Sequence, residues 1–104
     1  PTYAVVEAYS LLGLDIWHFD FYRFNDPREW EDAGFRDIFA SPGLKLAEWP
    51  EKAASMLPPA DLDILLEVDP SEQRSVNLRA HTATGETLLQ GLSAVYAKKT
   101  DLAP

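Results

Sequence analysis

The chain has no cysteine, so it can form neither a disulfide nor a thiolate metal site, which fits a reducing compartment. Basic residues are scarce too: nine Lys and Arg against seventeen Asp and Glu leave a net charge of −8 and an isoelectric point near 4.5. That balance disfavours direct binding to nucleic acid phosphates or an anionic membrane, since both depend on clustered cations. No apolar run approaches the ~20 residues of a membrane span, and no charged-then-apolar opening marks a signal peptide. The expectation is a cytoplasmic protein that does not contact a membrane.

Motifs for several chemistries are missing as well. There is no G-x-S-x-G and no serine with a recognisable His and Asp in register, so a covalent hydrolase is not supported. Neither G-x-x-x-x-G-K-[ST] nor G-x-G-x-x-G occurs among the five glycines. Two histidines, His18 and His81, far apart in sequence, give no zinc-ligand spacing.

What is present is enough to fold. At 46% hydrophobic and 12% aromatic, the 104 residues carry more apolar mass than a disordered acidic tail and suit one small domain or part of a larger one. Pro1 runs directly into strand-like residues with no leading Met or cap, which predicts a portion of a longer domain.

Residues 3–9 read as a strand followed by a turn near Gly13. In "LDIWHFDFYR" a period of two sets Leu14, Ile16, His18, Asp20 and Tyr22 on one face and Trp17, Phe19 and Phe21 on the other. Both faces start apolar, which predicts a strand covered on both sides, as in α/β sheets. "NDPREWEDAGF" carries helix-start signals in Asp26, Pro27 and Glu29, with Gly34 as a stop. A helical turn "FRDIFA", a strand "LKLAE" and a short helix from Pro50 follow. "DLDILLEVD" and "SVNLRAH" alternate as a hairpin, with Leu62, Ile64, Leu66 and Val68 inward. The final segment spaces Leu88, Leu89, Leu92, Val95 and Tyr96 on one stripe of an amphipathic helix against the sheet.

Two of these strands end in acids. Asp20 and Glu48 are expected at the carboxyl edge of a sheet, where open α/β folds bind ligands, and two acids there could hold Mg²⁺ or orient a water. The plainer alternative is that each faces solvent at a strand end. His18 lies two residues from Asp20 on the same face and is either a structural histidine or a ligand. Arg23 is either an ion-pair partner for Asp20, Asp26 or Glu48 or a contact for an anionic ligand. Trp49 is either plain packing or part of the site.

"PTYAVVEAY", "WHFDFYRFNDPREWEDAGFRDIF" and "LKLAEWPEKAASMLP" together resemble the TsaE (YjeE) family, bacterial P-loop ATPases of threonylcarbamoyladenosine (t6A) tRNA modification. The likeness runs from Pro1 to about Thr84. It implies an α/β P-loop NTPase-like sheet with flanking helices, of which residues 1–104 are the C-terminal portion, without the first strand, the phosphate loop and the helix that follows it.

By the same resemblance Thr2 lies near the γ-phosphate and Asp20 serves nucleotide turnover. Glu48 supports Mg²⁺ in a Walker-B-like place together with Asp20, and His18 and Trp49 stand beside the nucleotide. The implied cofactors are ATP and Mg²⁺. The implied partners are the TsaD and TsaB proteins, with tRNA reached only indirectly. Lacking the phosphate loop, the chain alone is expected not to hydrolyse ATP, and its uncovered strand edges predict self-association. The rival expectation is a non-catalytic acidic interaction module; a free-standing carboxylate-dependent hydrolase lacks a convincing acid and base pair.

Overall fold

A computed structural model of the chain describes residues 5–24 and 34–102, the last seven of these by backbone alone. The expected helix start at Asp26, Pro27 and Glu29 lies outside the described residues, as does Thr2. The chain divides into two compact units, residues 1–58 and 59–104.

In the first unit, β1 (Val6–Leu11) and β2 (Leu14–Asp20) form an antiparallel hairpin, and β3 (Leu44–Glu48) joins β2 in parallel to give the order β1-β2-β3. The two-residue turn Leu12-Gly13 has φ of 51° and 78°. Two positive φ values match the twist of a hairpin, and glycine meets the second without a steric penalty. A parallel pair needs a crossover, and α1 (Phe35–Ala40) lies between β2 and β3 in sequence.

One face of this sheet is sealed by aromatic rings. Phe19 and Phe21 are fully buried, joined by Phe24, Phe35 and Ala53, with Trp17, Ile38, Phe39, Met56 and Leu57 packed around them. Phe19 stacks on Phe39 with ring centroids 4.7 Å apart and meets Phe35 edge-on at 5.4 Å. Such pairs contribute about 0.5–1.5 kcal/mol each beyond the area they bury. The alternation in "WHFDF" therefore separates the two faces correctly, and the Phe19 and Phe21 face is the one that is buried.

Coverage of both faces of β2 does not hold. Tyr9, Leu11, Leu14 and Leu46, on the opposite face, are exposed, Leu11 at 61%. The strand also ends earlier than its sequence pattern. After Asp20 the chain turns through Phe21–Phe24, closed by the Phe24 N–H donating to the Phe21 carbonyl at 3.0 Å. The Asp20 carboxylate draws the chain out of the ladder by accepting the Tyr22 N–H at 3.0 Å.

In the second unit, β4 (Leu62–Val68) pairs antiparallel with β5 (Arg74–Ala80), and α2 (Ala83–Leu102) packs on both. Thr82 begins this helix: its hydroxyl donates to Asp61 at 2.6 Å and accepts the Gly85 N–H at 3.0 Å. Gly85 is the buried point of closest approach, where an added Cβ would run into the Asp61 carbonyl. The inward role expected of Ile64, Leu66 and Val68 is not realised, since all three are exposed, and Leu88, Leu92 and Val95 of the helix are exposed as well. Alternation marks which face is apolar, but one helix joined at Gly85 covers only the Leu62, Leu78 and Ala80 end of the hairpin.

Candidate functional site

Asp20 and Glu48 are the last residues of β2 and β3, and the parallel register sets them opposite each other. The Phe21 N–H donates to the Glu48 carbonyl at 3.0 Å, tying the two strand ends together just beyond the pair. Both acids thus stand at the carboxyl edge of a parallel strand pair, the position in which such sheets present ligand groups.

The register also aligns His18 with Leu46, so that His18, Asp20, Leu46 and Glu48 share one face. On that face His18 Nε2 lies 2.8 Å from Glu48 Oε2. An ionised carboxylate only accepts, so the ring nitrogen donates. Glu48 is paired with this histidine, which neither the solvent-facing alternative nor the Arg23 pairing had assigned to it. Arg23 itself is exposed within the turn that follows β2.

Glu7 of β1 sits across from His18 on the other side. Its carboxylate accepts the Tyr9 hydroxyl at 2.6 Å. That hydrogen bond first, and the negative charge of Glu7 second, raise the Tyr9 hydroxyl above its ordinary pKa. Glu7 is therefore engaged within its own strand, away from the edge where Asp20 and Glu48 meet.

Trp49 follows Glu48 directly and adopts a left-handed backbone, φ 55° and ψ 48°. A residue ahead of proline is ordinarily extended, and a bulky one at positive φ is strained. The distortion turns the chain from β3 into the short 3-10 helix Pro50–Ala53 and sets the indole 5.2 Å from the Tyr22 ring. Lys52 Nζ lies 5.9 Å from the same ring. Two exposed aromatics and a cation thus border the acidic edge. The resemblance set Trp49 beside the nucleotide and assigned nothing to Tyr22, whose ring the structure brings against the Trp49 indole.

Among the described residues no group of three His, Asp or Glu side chains is gathered closely enough to hold a metal ion by itself. Magnesium does not require one: it is usually bound by one or two carboxylates, with waters and substrate phosphates completing the octahedron. The hard oxygen donors of Asp20 and Glu48 fit that chemistry. No described helix is long and apolar enough to cross a membrane.

The first unit is that of a small mixed α/β protein whose parallel strands end in acids. Residues 1–76 match the family of the threonylcarbamoyl adenosine biosynthesis protein TsaE. The chain is 42% identical over 94 residues to the tRNA threonylcarbamoyladenosine biosynthesis protein TsaE of Haemophilus influenzae, and 30% identical over 93 residues to that of Bacillus subtilis. Each alignment covers 89% of this chain and 58% of the relative. The fold is similar to the crystal structure of Bacillus subtilis YdiB, with a TM-score of 0.71 at 24% identity over 88% of this chain and 56% of that one. The chain belongs to the TsaE family. It spans a little over half the length of these relatives.

Proposed function

We propose that residues 1–104 are the C-terminal portion of a single P-loop ATPase domain that binds ATP with Mg²⁺ and supports t6A modification of tRNA. The observation that carries this reading is the in-register pairing of Asp20 with Glu48 at the ends of adjoining parallel strands, in a chain of the TsaE family. Glu48 and Asp20 would hold the magnesium, and Asp20 would also orient the attacking water. Thr2 would face the γ-phosphate, Trp49 would stand on the nucleotide side, and His18 would stand behind Glu48. Bound magnesium supplies positive charge against the phosphate oxygens. The domain would act in the cytoplasm by cycling on the TsaD and TsaB proteins, and would meet tRNA only through them.

Phosphate binding in this reading needs a glycine-rich loop with its Lys, and the 104 residues contain none. The isolated chain is therefore expected to be inactive. The exposed Tyr9, Leu11, Leu14 and Leu46 support self-association of the chain on its own. Sedimentation that finds a monomer at high concentration would remove that part.

The experiment is a titration of Mg²⁺·ATP into the full-length protein that contains this chain. Tight binding lost in Asp20→Ala and Glu48→Ala is the expected result. Binding unchanged in both would take these acids out of the site and favour a non-catalytic acidic interaction module. One observation favours that second reading: each acid already has a structural hydrogen bond, Asp20 to the Tyr22 N–H and Glu48 to His18.

A further inference from the structure

We infer that His18 is a positioning residue for Glu48, acting on the metal through that carboxylate and not by touching the nucleotide. The inference rests on the ATPase reading above and assigns within it the role of one side chain.

Three observations support it. Glu48 ends its strand with its side chain 58% exposed, so packing alone does not fix its rotamer, whereas His18 lies mid-strand with its ring 30% exposed and its backbone held on both sides by β1 and β3. The bond between them, 2.8 Å long, ties the exposed carboxylate to the anchored ring. Of the other carboxylates near His18, Glu7 accepts the Tyr9 hydroxyl and Asp20 accepts the Tyr22 N–H, so the Glu48 bond is the described link from His18 to the acidic edge. With Oε2 engaged by the ring, the Glu48 head group is held in one orientation beside Asp20. Outer-shell partners of this kind orient a ligand before the metal arrives.

The test uses the full-length protein and reads magnesium and nucleotide separately, with MgCl₂ titrated at saturating ATP and ATP titrated in EDTA. His18→Ala should weaken apparent magnesium affinity by roughly 10-fold, at the lower end of what loss of an outer-shell partner costs, and leave ATP binding in EDTA unchanged. His18→Gln, whose amide nitrogen can donate in place of Nε2, should recover most of the loss. Adding His18→Ala to Glu48→Ala should weaken magnesium no further.

Equal loss of ATP binding with and without magnesium, failure of His18→Gln to recover it, or additivity with Glu48→Ala would each overturn the inference alone. Unchanged magnesium dependence in Glu48→Ala alone would overturn this inference, and unchanged dependence in both Glu48→Ala and Asp20→Ala would overturn the ATPase reading with it. A readout without nucleotide is ¹⁵N NMR of the same full-length protein: the His18 ring nitrogens should shift in Glu48→Gln. Resonances that stay in place would show that the bond does not hold the pair in solution and would overturn the inference.

Discussion

Phe19 and Leu66 each sit in the middle of a strand, on the face that their alternating neighbours mark as apolar. Phe19 is sealed among aromatic and aliphatic neighbours in the first unit, while Leu66 in the second is 71% exposed. The first unit closes its sheet with a crossover helix and a 3-10 turn that bring Phe35, Phe39 and Ala53 onto β2. The second has one helix, joined to its hairpin at Gly85 and leaving the hairpin's distal half uncovered. The same two-residue period thus leads to two different energetic outcomes. The difference lies in what is connected to each sheet, not in the strands.

The largest effect expected from this contrast is a pair of truncations. Phe19→Ala should destabilise the chain by about 3–5 kcal/mol, the cost of removing a buried ring and leaving a cavity. Leu66→Ala should stay within about 0.5 kcal/mol, as for other exposed positions. Urea unfolding followed by NMR at the amides of β2 and of β4 measures both, since the tryptophans all fall in the first unit. Similar losses at the two sites would break the contrast.

Next in size is Gly85→Ala. A Cβ there meets the Asp61 carbonyl, which is backbone and cannot swing aside as a side chain would. The variant should cost about 1–3 kcal/mol, the usual range for overpacking. The loss should appear as faster amide exchange across β4 and β5, with the amides of β2 unaffected. Equal acceleration in both sheets would mean that the two units do not unfold separately.

These cases also define how much was legible in the sequence. The alternation in "WHFDF" was enough to put Phe19 and Phe21 on one face and Asp20 on the other, because side-chain direction in a strand is a local property, but not to say that only the first of these faces is covered. Strand ends marked by Asp20 and Glu48 were equally local. The 2.8 Å bond between His18 and Glu48 was not, because it depends on the register between two strands separated by a crossover. Nor could "DLDILLEVD" reveal that its apolar face stays bare, since coverage depends on what packs there. Trp49 illustrates a third limit: ahead of a proline the local rule favours an extended residue, and the fold overrides it at the edge of the site.

Leu12 offers a smaller test, confined to the first unit. It is 99% exposed and has φ of 51°, a conformation that costs a side chain with a full Cβ roughly 1–2 kcal/mol and that Asn tolerates better. Leu12→Asn would place Asn-Gly in the turn, the dipeptide most suited to it. The expected gain is about 1 kcal/mol in urea, because the exposed leucine side chain gives up no packing when it is replaced. A neutral or destabilising result would show that Leu12 packs against something in solution that offsets its backbone strain.

The subtlest difference between the units is in their response to acid. In the loop joining β4 to β5, one oxygen of Asp69 accepts the Ser71 hydroxyl at 2.7 Å and the Ser71 and Gln73 N–H groups at 2.9 Å each. The Ser71 hydroxyl first, then the backbone donors, hold the Asp69 carboxyl below its ordinary pKa. A group depressed on folding binds its proton more readily in the unfolded chain. Its stabilising contribution is therefore complete above the ordinary carboxylate range and is lost as the pH falls through the lower, folded value. Amide exchange at Ser71 and Gln73 should accelerate over that acidic window. Asn at position 69 accepts similar hydrogen bonds but has no proton to gain, so Asp69→Asn should flatten the acid limb at these two amides without changing that of the β1–β2 hairpin. An unchanged limb in the variant would show that the acid response of the turn does not arise from the three bonds that converge on Asp69.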